Sequence, residues 1–254
     1  MKKIILILLA LLPALRGAAK CGGRGLWVWP TSSFVSTNAV FVLNANGLSQ
    51  EVITNLNKKH AVYLISENQK VRLQVREVCV GQYLITQAVL VPIDPLVVGA
   101  DYQLIIENLP QYQALESRKT EMGRLEQPHW KVSASLAPEP IAWLSSPKVV
   151  NKQKIEYGCG PERYVTFNYA LAISGEYLLK TTIQGAGDNF KTTYYLEAER
   201  GQVSVGHGMC SGAFLLADNS HYEVTFDVFD AQGNVFAWQG PPIAFDTKWE
   251  LPHR

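Results

Sequence analysis

The chain has 254 residues, with 23 basic against 22 acidic side chains and a formal net charge of +1. That balance excludes the strongly basic surface on which nucleic-acid binders rely. A hydrophobic content of 47% suffices for packed cores and excludes a disordered chain.

The N-terminus reads MKKIILILLALLPALRGAAKCGG. Lys2 and Lys3 precede an apolar run from Ile4 to Leu15, and small residues follow. This is the layout of a secretory signal peptide. As a helix the run would rise about 18 Å, short of a bilayer core of roughly 30 Å. A leader is therefore expected over residues 1–19, cleaved after Ala19, and the mature chain is expected to be exported to the periplasm, the cell surface or the medium. Cys21 follows closely, but Lys20 stands where a lipid-carrying cysteine requires a small residue. No later run is long and apolar enough to predict a transmembrane span.

The mature chain reads as short strands separated by turns. AVFVLNA (39–45), AVYLIS (61–66), VRLQVREVCV (71–80), YLITQAVLV (83–91) and DYQLIIENL (101–109) are rich in Val, Ile, Leu and Tyr. Val71, Leu73 and Val75 alternate with Arg72, Gln74 and Arg76, the pattern of a strand with one face on a core. LESRKTEMGRL (115–125) reads as a polar loop with a short helix. A strand with Trp130 on it is expected to close this half. Pro138 and Pro140 in SLAPEPIAW stiffen a connector and deny strand pairing. Beyond it, strands are expected at 164–173, 176–184, 191–199, 210–217, 221–230 and 234–238. Many short strands without βα alternation predict an all-β chain: tandem antiparallel β-sandwiches over 20–136 and 137–254.

Two segments resemble fibronectin type III and related immunoglobulin-like domains. LLADNSHYEVTFDVFDAQGNVFAW has a Leu, a polar turn, Tyr222, an alternating strand and a turn from Asp230 to Asn234. LVVGADYQLIIENL (96–109) repeats the layout with Tyr102. The opening LWVWPTSSFVSTNAVFVLNA is similar to the first strands of bacterial immunoglobulin-like modules. The resemblance implies a sandwich architecture in which each tyrosine tethers a corner loop through its hydroxyl.

Four cysteines in an exported chain are most simply two disulfides. Three pairings exist, and the one that needs no domain crossing joins Cys21 to Cys79 and Cys159 to Cys210. A metal reading would gather Cys159, His207, Cys210 and His221. A redox reading would want C-x-x-C, which is absent. The five histidines lie in no hydrolase or metalloprotease motif, and His60, after two lysines, reads as a solvated turn. Glu197 and Glu199 read as a solvated strand face, and Asp227 and Asp230 as an ordinary turn. Trp27 and Trp29 share one side of a strand, suited to core or interdomain packing or to an aromatic platform.

The connection 108–127 is longer than a hairpin needs, and loops of that length on a sandwich often carry recognition. Tyr112, Glu116, Arg118, Lys119, Glu121 and Arg124 are its candidate contact residues. The expectation is a non-catalytic binding or adhesion module for a protein or glycan partner, with no cofactor and no nucleic acid. The alternatives are a structural or assembly role in the cell envelope, and periplasmic metal binding.

Overall fold

The computed structural model describes residues 24–119, 125–134, 141–185 and 190–249. The expected leader, Cys21, Glu121, Arg124, Pro138 and Pro140 lie outside the described residues.

The N-terminal half contains β1 (Arg24–Trp29), β2 (Phe34–Val35), β3 (Phe41–Gly47), α1 (Gln50–Thr54), β4 (Val62–Ile65), β5 (Lys70–Val80), β6 (Ile85–Pro92), β7 (Asp101–Ile106), β8 (Arg118–Lys119), β9 (Leu125–Glu126) and β10 (His129–Val132). Eight of these strands hydrogen-bond in the order β1-β3-β6-β5-β4-β7-β10-β2. The sheet curls over because β5 serves both layers: Lys70–Arg72 pair with β4, and Leu73–Val80 pair with β6. Between the layers lie Leu26, Phe41, Leu43, Leu73 and Leu90 from one side, and Val62, Leu64, Tyr102, Leu104 and Trp130 from the other. Each large side chain so buried contributes on the order of 1.5–3 kcal/mol. Trp130 packs edge-on against Phe41 and donates its indole N–H to the Pro30 carbonyl at 3.1 Å. Helix α1 is too short to stand alone; Val52 and Ile53 anchor it in this core.

The C-terminal half contains β11 (Ala142–Tyr157), β12 (Gly160–Ala172), β13 (Tyr177–Gly185), β14 (Lys191–Glu197), β15 (Gln202–His207), β16 (His221–Asp230), β17 (Val235–Phe236) and β18 (Ile243–Asp246). One layer runs β11-β12-β15; the other runs β14-β13-β16, with β17 and β18 sharing the outer edge of β16. Phe167 packs against Phe226 and Phe245 at ring separations of 5.2 and 5.5 Å, which knits the layers.

The halves share a second core. On β3, Phe41, Leu43 and Ala45 face the first core, while Val42 joins the cluster formed with the C-terminal half. On β5 a register shift between Val75 and Glu77 reverses the side on which alternate residues fall. Val71 and Leu73 thus face the N-terminal core and Cys79 the other. Trp29 meets Phe229 at 6.1 Å, and the Arg76 guanidinium lies over the same ring. Gln87 accepts from the Tyr195 amide at 2.7 Å and donates to its carbonyl at 3.1 Å. Glu77 accepts from the Tyr195 hydroxyl at 2.8 Å and pairs with Lys180 at 3.2 Å. Burial opposes ionisation of Glu77, but these two donors outweigh it and hold the carboxyl below its usual value.

The structure corrects several expectations. Residues 115–125 do not form a helix among the described residues: Leu115 is buried beside Leu26, and β8 pairs with β9. Residues 210–217 form no regular strand; Gly212 makes single bridges to Tyr83 and His207. Strands β11 and β15 were not expected, because KVVNKQKIEY is polar and GQVSVGH is rich in glycine. Pairing with β12 on its two sides creates both. His60 is buried, with Nδ1 3.3 Å from the Glu107 carbonyl.

Candidate binding groove

Strand β11 lies at the free edge of one layer and β17 at the edge of the other. Between them runs a groove of about 790 Å³ lined by Ile141–Ser146 and Phe236–Gly240. That volume falls in the usual range for small-ligand sites, roughly 300–1,000 Å³. Trp143 and Trp238 meet there edge to face, with ring centroids 5.0 Å apart and planes 79° apart. Trp143 is also braced by Tyr169 at 5.5 Å, whose hydroxyl shares a hydrogen bond with that of Tyr177 at 2.9 Å. Trp238 is held from both ends. Its backbone N–H donates to Asp227 at 2.9 Å and its indole N–H to the Pro241 carbonyl at 3.0 Å. A Cβ at Gly240 would lie 2.3 Å from the indole, so glycine is required for this approach. Leu144, in the lining, is 68% exposed.

A smaller cleft of about 300 Å³ opens where the halves meet, lined by Ser32, Ser174, Glu176 and Asp230 among others. Its carboxylates are already engaged. Glu176 accepts from the amide and hydroxyl of Thr31. Asp230 accepts from Gln232 and Asn234 and closes the expected turn. This cleft is a latch between the halves.

Of the sequence-derived contact residues that are described, Tyr112, Glu116, Arg118 and Lys119, none lines either cavity. Tyr112 is 60% exposed, and Glu116 is exposed while its amide donates to the Leu26 carbonyl at 2.7 Å. Arg118 and Lys119 form β8. Loop 108–127 is thus tied to the core at Gln113 and Leu115, both buried. Trp29 is buried in the core that the two halves share.

The cysteines differ from the expected one bridge per domain. Cys79 carries a buried thiol, whereas Cys210 is disulfide-bonded. Cys79 points into the seam between the halves, where its thiol donates to Glu77 at 3.7 Å. Burial and the adjacent carboxylate push that thiol up to about 12, which makes it inert. Cys159 occupies the two-residue turn between β11 and β12, beside Gly158. Among the described residues no three His, Cys, Asp or Glu side chains gather as a metal site. His207 is buried against Tyr83, with Nδ1 2.9 Å from the Gly208 carbonyl, and His221 is exposed. Glu197 has its carboxyl raised by burial and by Glu176, and Glu199 pairs with Arg200 at 3.6 Å.

In each half a tyrosine hydroxyl accepts from the amide five residues earlier: Tyr102 from Val97 at 3.2 Å, Tyr222 from Ala217 at 2.8 Å. In layers that are antiparallel except where β2 joins β10, this is the tyrosine-corner arrangement of β-sandwiches. The architecture is all-β and sandwich-like. No protein-family model and no curated protein matches the chain. Among solved structures it is similar to the FN1–FN3 domains of chicken CNTN1, at 8% identity over 92% of this chain and 68% of that one, with a TM-score of 0.27. It is similar to the adhesin InvE of Yersinia pseudotuberculosis, at 12% identity over 91% of this chain and 60% of that one, with a TM-score of 0.22. It is also similar to pullulanase type I from Bacillus subtilis complexed with maltose, at 12% identity over 91% of this chain and a TM-score of 0.26, but it spans only 28% of that chain. Likenesses this loose transfer neither a site nor an activity.

Proposed function

We propose that this chain is an exported, non-catalytic binding protein for a protein or glycan partner, with a leader over 1–19 and sandwich domains over 20–136 and 137–254. The groove between β11 and β17 supports this reading: it is concave, aromatic and braced by neighbours that fix its shape. Ligand sites are typically apolar concavities with a few polar groups. Two carboxylates at the junction of the halves are engaged in pairs, Glu77 with Lys180 and Glu176 with Thr31. The test is a screen of the mature protein against peptide and glycan arrays, repeated with Trp238→Ala and with loop 108–127 shortened. The expected result is a ligand class whose binding is lost with Trp238 and kept without the loop. Binding lost with the loop and kept without Trp238 would move the site to Tyr112, Glu116 and their neighbours.

A further inference from the structure

We infer that the groove takes a neutral oligosaccharide, a proposal that rests on the groove being the binding site. None of the described residues that line it is ionisable: Ile141, Ala142, Trp143, Leu144, Ser145, Ser146 on one wall, Phe236, Ala237, Trp238, Gln239, Gly240 on the other. A charged ligand would lose hydration there and meet no counter-charge, which is costly. The ligand is therefore uncharged. A purely apolar ligand would leave the polar rim unused. Ser145 accepts from the Ala170 amide at 2.9 Å and keeps its own proton to donate. Ser146 and Gln239 add a hydroxyl and an amide. A sugar ring has an apolar C–H face and a belt of hydroxyls. The face suits the electron-rich plane of an indole, and the belt suits the serines and the glutamine. Trp143 and Trp238, nearly perpendicular, offer one plane to stack on and one as a side wall.

A peptide fits the site less well. Strand addition takes its affinity from main-chain hydrogen bonds along an edge. The β11 edge is interrupted by register shifts at Trp143/Ser145, Ser145/Lys148 and Val149/Asn151. Pro147 lies within this stretch and has no N–H to give. β17 has only two residues. Bulges and proline are the features by which sandwiches keep an edge from pairing. The aromatic floor remains open while the adjoining backbone does not recruit a strand.

The experiment titrates the 15N-labelled mature protein with cello-, malto- and chitohexaose, with a galacturonic acid hexamer, and with an uncharged apolar decapeptide. The readout is the set of indole N–H resonances. We expect a neutral hexaose to shift the Trp143 and Trp238 signals and leave that of the buried Trp130 in place. Trp238→Ala should weaken that binding at least tenfold, with Trp238→Tyr recovering part of it and the melting temperature showing that each variant is folded. Stronger binding of the galacturonate, or shifts with the decapeptide alone, would overturn the neutral-glycan assignment and leave the groove as a binding site. No perturbation of either indole by any probe would overturn both.

Discussion

Leu96–Tyr102 and Leu216–Tyr222 are one device built twice. In each a buried leucine leads into a corner, the fourth residue has a left-handed backbone, and a tyrosine hydroxyl accepts from the second residue's amide. The left-handed position is Gly99 (φ 85°) in one and Asn219 (φ 53°) in the other, the two residue types that tolerate it best. What surrounds the corners differs. The second is clamped: Asp218 accepts from the Trp249 indole at 2.7 Å and pairs with Lys154 at 3.1 Å and Arg163 at 3.3 Å. The first instead turns Val97 and Val98 to solvent, 54% and 55% exposed. The corner itself is a local contrivance of seven residues; its load of contacts comes from strands distant in sequence.

The largest effect expected is from removing the hydroxyls. Tyr222→Phe and Tyr102→Phe should each cost about 1–3 kcal/mol, because an amide in a part-buried corner loses its acceptor. Tyr102→Phe should be the costlier, since Gln69 also loses its partner. Urea unfolding of both variants checks this, and equal neutrality would show that the hydroxyls only fill space.

Next is the clamp. Burial opposes ionisation of Asp218, but the Lys154 and Trp249 hydrogen bonds and the Arg163 charge hold its carboxyl below the usual range. A depressed carboxyl contributes stability above its unfolded pKa, roughly 4, and loses it as pH falls through the lower folded value. Asp218→Asn should remove less than about 1 kcal/mol at neutral pH, since the group is solvent-screened. It should also flatten the stability profile below about pH 4, whereas Val98→Asn in the first corner should leave that profile unchanged. Thermal melts from pH 2.5 to 7 separate the two.

The smallest effect is at the turn residue. Asn219→Gly should change stability by only a few tenths of a kcal/mol, and Gly99→Asn by no more than about 1 kcal/mol, because Asn tolerates this backbone. A Cβ at Gly99 meets nothing within 4 Å, so any larger loss would expose a contact made only by the swapped side chain.

The sequence by itself determined the parts whose cause is local. Period-two runs marked β4, β7, β13 and β16 within a few residues, because alternate side chains must face opposite sides of a sheet. The Leu-turn-Tyr spacing marked both corners, and Asp230 to Asn234 marked the turn that Asp230 closes with its own carboxylate. Tertiary structure alone decided what depends on which surface meets which. The register shift beside Arg76 lets one strand serve two cores; in VRLQVREVCV the adjacent polar pair Arg76–Glu77 interrupts the alternation, but only the packing shows that the far end of the strand turns to a second core. Strand β11 is polar along most of its length and exists because β12 supplies a ladder. Cys79 is one of an even set of four cysteines in the sequence, yet its environment is a seam made with the other half of the chain. The groove was least legible of all. Trp143 and Trp238 lie far apart in sequence, each flanked by residues that read as ordinary strand ends, and they meet because β11 and β17 take the edges of opposite layers. Local patterning dictates which way a side chain turns; only the stacking of layers decides what it turns toward.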